Sequence, residues 1–134
     1  MTGTLVDSSV FLDIATSDHR WLEWSQQALA SAAREGPLVI NPVVYAEVSV
    51  GYERVEDLDQ VLPADVVVRA AIPYEAAFLA AKAFVVYRQR GGRRAHPLPD
   101  FFIGAHAAVT GLRLLTRDAR RVREYFPTVE LVTP

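Results

Sequence analysis

The chain contains no cysteine, which excludes disulfide staples, cysteine-ligated zinc and thiol catalysis. Lysine is almost missing as well, since Lys82 stands alone among 14 basic residues and the rest are arginine. With only three histidines, any metal must be held largely by oxygen, a donor set that suits Mg²⁺ or Mn²⁺. Long hydrophobic runs are absent. The most apolar stretch, Ala76 to Tyr87, is interrupted by Lys82 and is too short to cross a bilayer. The opening residues, Met1 to Asp7, lack a basic segment followed by an apolar one, so the expectation is a cytosolic protein with no membrane association. Internal repeats and low-complexity linkers are missing too.

What remains is an ordinary globular balance. The 134 residues are 51% hydrophobic and 22% charged, enough for a single domain over residues 1–134 with one core. The net charge of −2 conceals an asymmetry. Residues 1–67 hold 11 acids and 3 bases, whereas residues 68–134 hold 5 acids and 11 bases. Arginine matches phosphate bidentately better than lysine does. The basic half therefore reads equally as a polyanion-binding surface or as a solvated arginine-rich face.

Short apolar runs alternate with helical patterns along the chain. Strands are expected at Thr4–Asp7, Leu38–Ile40, Val66–Val68, Leu114–Thr116 and Val129–Val132. Between them, Ser8 or Ser9 suits the cap of a first helix, Asp18 that of a second, and Asn41-Pro42 opens a third. Val55–Leu62 reads as a short acidic helix. Pro73–Arg90 reads as a long one stopped by Gly91-Gly92. Pro99-Asp100 opens a helix running to Gly111, and Asp118 suits the cap of a short basic one. Strands separated by helices imply an α/β fold with a mostly parallel sheet covered on both faces. In such folds ligands bind beyond the carboxyl ends of the strands, where strand order reverses.

Four acids sit where that rule wants them. Asp7 and Asp118 follow the first and fourth strands. Glu47 lies on the helix after the second, and Asp100 in the first turn of the helix leading to the fourth. Asp100 and Asp118 also suit helix capping and Asp7 a turn, without any chemistry. Glu47 has no such use, because it lies mid-helix among Tyr45, Ala46, Val48 and Val50. A carboxylate in apolar surroundings needs a partner or a cation. No lysine or arginine lies within five residues of Asp7 or Glu47. One shared cause accounts for all four better than four separate ones.

These acids, in order and in context, resemble the PIN-domain family, and most closely its VapC-like toxins. The segments are Leu5-Val6-Asp7-Ser8-Ser9-Val10, Asn41 to Val48, Pro99 to Ala107, and Leu114-Leu115-Thr116-Arg117-Asp118. Many members carry asparagine where Ser9 stands. The resemblance spans essentially the whole chain. It implies a three-layer sandwich with a five-stranded sheet and helices on both faces. It also implies Mg²⁺- or Mn²⁺-dependent endoribonuclease activity through metal-activated water, leaving a 3′-hydroxyl and a 5′-phosphate. A cognate antitoxin and a homodimer are its implied partners.

Within that frame Asp7 and Asp100 are the first choices as metal ligands, with Glu47 and Asp118 completing the set. Clustered carboxylates suit the reaction because a divalent ion offsets the repulsion between a phosphodiester and its nucleophile. Thr116 and Ser9 are expected to orient a carboxylate or a water. Arg93, Arg94 and Arg117 are expected to hold RNA phosphates, with Arg88, Arg90, Arg120 and Arg121 nearby. His106 reads as a packed, bonded histidine. Trp21 and Trp24 read as core, or as the wall of an antitoxin groove. Two hydrolytic and signalling rivals fit poorly. A receiver domain needs a late lysine, whereas the only lysine, Lys82, falls inside an expected helix, and an aspartyl-nucleophile phosphatase needs an acid at position 9, where serine stands. A nucleic-acid-binding or regulatory PIN-like module with little catalysis is the remaining alternative.

Overall fold

The computed structural model describes residues 3–92 and 98–134. Arg93, Arg94 and His96 lie outside the described residues. The elements run β1 (Thr4–Val6), α1 (Ser8–Ala15), α2 (Leu22–Glu35), β2 (Leu38–Ile40), α3 (Pro42–Ser49), α4 (Val55–Val61), β3 (Val67–Arg69), α5 (Tyr74–Gln89), α6 (Leu98–Thr110), β4 (Arg113–Leu115), α7 (Arg120–Tyr125) and β5 (Leu131–Val132).

The five strands form one sheet in the order β3-β2-β1-β4-β5, and all four pairings are parallel. Every residue of β1 and β2 is buried, which requires cover on both faces and makes a three-layer α/β sandwich. From β1 the chain steps outward through β2 to β3. It then crosses back over β1 to β4 and β5. With right-handed crossovers, that reversal sends the α1–α4 connections to one face and α5–α7 to the other. Helix packing largely follows the same division, α1 against α2 and α3, and α6 against α5 and α7, with α3 and α6 also meeting each other.

The core joins Leu5, Val6 and Val10 to Ile40, Val44, Val48, Phe101, Leu114 and Leu115, all nearly or fully buried. Around Phe101 the rings of Phe84, Tyr87, Tyr125 and Phe126 stand edge to face at 5.2–6.2 Å between centroids, the arrangement aromatic quadrupoles favour.

Local signals mostly decide the element ends. Gly91, at φ +87°, follows the last turn of α5, and the Gly92 N–H donates to Tyr87 O at 2.9 Å, the left-handed termination that glycine permits. Asn41 caps α3 by accepting from the Val44 N–H at 3.0 Å, with Pro42 next. Three expectations shift. Asp7, rather than Ser8 or Ser9, is the cap of α1. Asp18 Oδ1 accepts from the Arg20 and Trp21 N–H groups in a turn before α2 begins at Leu22. Ala119, rather than Asp118, occupies the cap position of α7, because the turn after Thr116 carries Asp118 one residue too early. β3 and β4 also move by one residue and β5 is shorter, since strand ends are set by ladder pairing rather than by apolar content.

Candidate active site

The reversal of strand order falls between β1 and β4, and the first acid stands there. Asp7 is extended (φ −71°, ψ 151°) and its N–H donates to Leu115 O of β4 at 2.9 Å. Asp7 Oδ1 accepts from the Ser8 N–H at 2.8 Å. Its Oδ2 accepts from Thr116 Oγ1 at 2.8 Å and from Ser9 Oγ at 3.2 Å. Thr116 is 1% exposed, and its Oγ1 also accepts from the Asp118 N–H at 3.2 Å. One buried hydroxyl therefore ties the first carboxylate to the backbone of the fourth. Ser9 thus reaches the Asp7 carboxylate.

Glu47 is half-buried on α3, and its Oε1 accepts from Ser8 Oγ at 2.9 Å. The same hydroxyl lies 3.5 Å from Asp7 Oδ1. Loss of water around Glu47, reinforced by the charges of Asp7 and Asp100, pushes its carboxyl above the usual range, against the Ser8 bond. Asp100, in the first turn of α6, accepts from Arg121 Nη1 at 3.1 Å. Burial and the Asp7 charge raise its carboxyl also, with Arg121 opposing and Asp118 adding to the rise. Asp118 is exposed. Its bonds to the Arg120 side chain, both at 3.3 Å, hold its carboxyl below the usual range.

Asp7, Asp100, Thr116, Asp118 and Arg121 line one cavity of about 60 Å³, with Ile103, Leu114 and Val122 as its apolar wall. Glu47 is not in that wall and joins it through Ser8. Three of the four predicted acids thus share a cavity, and the fourth is electrostatically linked to two of them. The donors are all oxygen, and the Asp7 charge adds to the cost of ionising both Glu47 and Asp100, so a divalent cation fits the chemistry of the set. Among the described residues no three acidic or histidine side chains close into a group that would hold a metal ion as they stand. Glu47, Asp100 and Asp118 are bonded to Ser8, Arg121 and Arg120 respectively.

Arg117 is placed elsewhere than expected. Its Nε and Nη2 donate to Asp13 at 3.0 and 2.9 Å, and its guanidinium lies 5.4 Å from the Trp21 ring centroid. Asp13 is 2% exposed and also accepts from Ser25 Oγ at 2.8 Å. This side chain anchors the loop that carries Thr116 and Asp118. Among the described residues Arg121 is the arginine in the cavity wall, and Arg120 reaches the site through its bonds to Asp118.

Sequence reasoning missed Ser8 as a link between two acids, and Asp13 as a buried charge. Asp13 was findable, being an acid inside the apolar run Val10 to Ile14, the same signal that marked Glu47. His106 is packed and bonded, as expected. Asn41 Oδ1 is committed to the Val44 N–H, so Nδ2 donates to His106 Nδ1 at 3.0 Å, and burial keeps the imidazole neutral by lowering its pKa. Trp24 packs against the core, its ring edge to face with Trp21 at 6.4 Å.

A wholly parallel sheet with a carboxylate-lined cavity at its reversal point defines an α/β protein with an acidic polar site. The family model of the PIN domain matches residues 4–125, and the chain belongs to the PIN domain family. No curated protein matches the sequence significantly. Among solved structures, the chain is similar to VapBC2 from Rickettsia felis bound to a DNA fragment from its promoter (TM-score 0.74, 14% identity, 98% of each chain covered). It is similar also to VapBC-1 from nontypeable Haemophilus influenzae (0.72, 14%, 98% of this chain and 97% of that one). A toxin–antitoxin complex from Klebsiella pneumoniae gives 0.65 at 22% identity, over 98% of this chain and 97% of that one. At these identities the likeness is one of fold.

Proposed function

We propose that this protein is a Mg²⁺- or Mn²⁺-dependent endoribonuclease and the toxin of a toxin–antitoxin pair. The observation that carries the reading is the convergence of Asp7, Asp100 and Asp118 on one cavity at the β1–β4 junction, with Glu47 joined through Ser8. PIN domains are in general nucleases, and the similar structures are of toxin–antitoxin complexes, which supports both halves of the reading. Asp7, Glu47, Asp100 and Asp118 are the residues that would hold the cation. When bound, it supplies charge neutralisation at the scissile phosphate and makes water more acidic.

The chain's own residues do the rest. Thr116, Ser9 and the Ser8 N–H fix the Asp7 carboxylate before substrate arrives, so no reorganisation is needed at the moment of reaction. Ser8 holds Glu47 toward Asp7. Arg121 and Arg120 keep positive charge at the rim, with Arg93 and Arg94 as further phosphate contacts. The chain acts in the cytoplasm in this reading; among the described residues no helix is long and apolar enough to cross a membrane.

Asp7→Asn and Asp100→Asn should each lower RNA cleavage at least about 100-fold with the folded circular-dichroism spectrum retained, and mapped RNA 5′ ends should carry phosphate. Full activity of either purified variant would overturn the proposal. A nucleic-acid-binding module with little catalysis is the second reading, favoured by the engagement of Asp100 and Asp118 with arginines. Calorimetric titration with MnCl₂ separates the two, since only the enzyme needs a metal.

The reading includes a homodimer and an antitoxin. Tyr74 and Phe78 on α5 are 91% and 66% exposed, apolar surface that a second subunit would cover. The Trp21–Trp24 pair would report antitoxin binding by fluorescence.

A further inference from the structure

The acidic cavity, at about 60 Å³, has room for an ion or a few waters, whereas ligand pockets begin at about 300 Å³. The nucleotides on either side of a cleaved phosphate must therefore lie outside it. Arg121 is common to its wall and to that of a neighbouring cavity of about 380 Å³. We propose that this second cavity, walled by Tyr87, Arg90, Arg120, Arg121 and Tyr125, is a subsite for one nucleotide of single-stranded RNA beside the cleaved phosphate. The inference rests on the ribonuclease reading for the word "cleaved", and on the cavity itself for the rest.

Its lining has the composition that single-strand recognition uses, aromatic rings interleaved with guanidiniums. The Arg90 guanidinium lies 5.4 Å from the Tyr125 centroid and that of Arg121 lies 5.6 Å from the Tyr87 centroid. These planes offer a base a stacking partner. Arg121 meets Asp100 through Nη1, and a guanidinium carries five N–H donors, so one side chain can hold a carboxylate and a phosphate together. Arg120 is 86% exposed and its contacts with Asp118 are long at 3.3 Å, so it can turn to a phosphate at little cost. Gly91, Gly92 and Glu124 complete the wall. A Cβ at Gly92 would collide with the Tyr87 ring, so a side chain there would displace that ring.

Arg90 is paired with Glu124 at 2.8 Å, which supplies a control. The probe is a fluorescent single-stranded RNA oligonucleotide, its binding followed by anisotropy on Asp7→Asn protein so that no cleavage intervenes. Adding Arg90→Ala and Arg120→Ala together should raise Kd about tenfold at 0.1 M salt and flatten log Kd against log salt by about 0.7 for each phosphate no longer neutralised. Glu124→Gln breaks the same ion pair while leaving Arg90 in place and should tighten binding. An unchanged Kd and slope in the double variant overturns the subsite and leaves the ribonuclease reading standing. Equal weakening by Glu124→Gln shows a structural effect and overturns it too. Failure of the Asp7→Asn parent to bind the probe overturns it outright. Arginine-dependent binding by a native protein that cleaves nothing keeps the subsite and removes the nuclease.

Discussion

Arg117 lies between the two residues that matter most in its loop, Thr116 and Asp118, and its side chain points away from both, into α1 and α2. The partner it finds there, Asp13, is a carboxylate 2% exposed, whose oxygens accept from Arg117 and Ser25. Removing one member of a buried pair leaves an uncompensated charge, and the more buried member is the acid. Arg117→Ala should therefore cost about 3 kcal/mol in urea denaturation, more than Asp13→Ala, because an orphaned Arg117 can swing to solvent. The double variant should resemble Asp13→Ala. Glu47 behaves in the opposite sense. Its carboxyl is raised on folding, so the folded state binds a proton more readily than the unfolded one, and stability contributed by Glu47 is lost as pH rises above 4.5. Glu47→Gln, which can still accept from Ser8, should raise Tm at pH 7 in divalent-free buffer, and the gain should vanish as pH falls toward 4.5. Scanning calorimetry across that range reads the difference.

Element by element, the site depends on which strands and helices meet end to end. β1 and β4 pair in parallel from Thr4 with Arg113 to Val6 with Leu115, so the residues that follow, Asp7 and Thr116, emerge side by side. Thr116→Val keeps the shape and deletes the hydroxyl that serves Asp7 Oδ2 and the Asp118 N–H. It should cost about 1–2 kcal/mol and lower cleavage without abolishing it, as measured by denaturation and by RNA cleavage rate. α3, which carries Glu47, is secured by Asn41, whose amide caps the helix and bonds His106 of α6. Asn41→Ala should cost about 2 kcal/mol, through the lost cap and a buried imidazole left without its donor. Most elements were legible because caps, proline, glycine and apolar spacing are local signals. The misassigned caps at Asp7 and Ala119 were not, because the chain's path out of β1 and β4, rather than residue preference, decides which side chain reaches the first helical N–H.

At the scale of the molecule, reversal of strand order sets charge against charge. The acid-rich first half supplies Asp7 and Glu47, the basic second half supplies Asp100 and Asp118 together with Arg120 and Arg121, and the sheet brings both halves to one edge. A cation that binds only the folded chain adds stability by mass action, about 2.7 kcal/mol at a hundredfold excess over Kd. Mn²⁺ should therefore raise Tm, and Asp7→Asn should abolish the rise, as thermal melts with and without EDTA would show.

The order and identity of the four acids, the all-oxygen donor chemistry, the absence of thiol chemistry and the alternation of strands with helices were all determined by the sequence alone, because each is a property of residue type or near-neighbour spacing. Tertiary structure decided the rest. It set Glu47 apart from the cavity and linked it through Ser8, turned Arg117 from a substrate contact into an anchor for Asp13, and put Arg121 in the wall between two cavities. The physical reason is common to all three. A charged side chain takes whichever partner the fold brings within hydrogen-bond reach at the lowest cost in lost hydration, and partners 39 or 104 residues away in the chain leave no trace in local sequence.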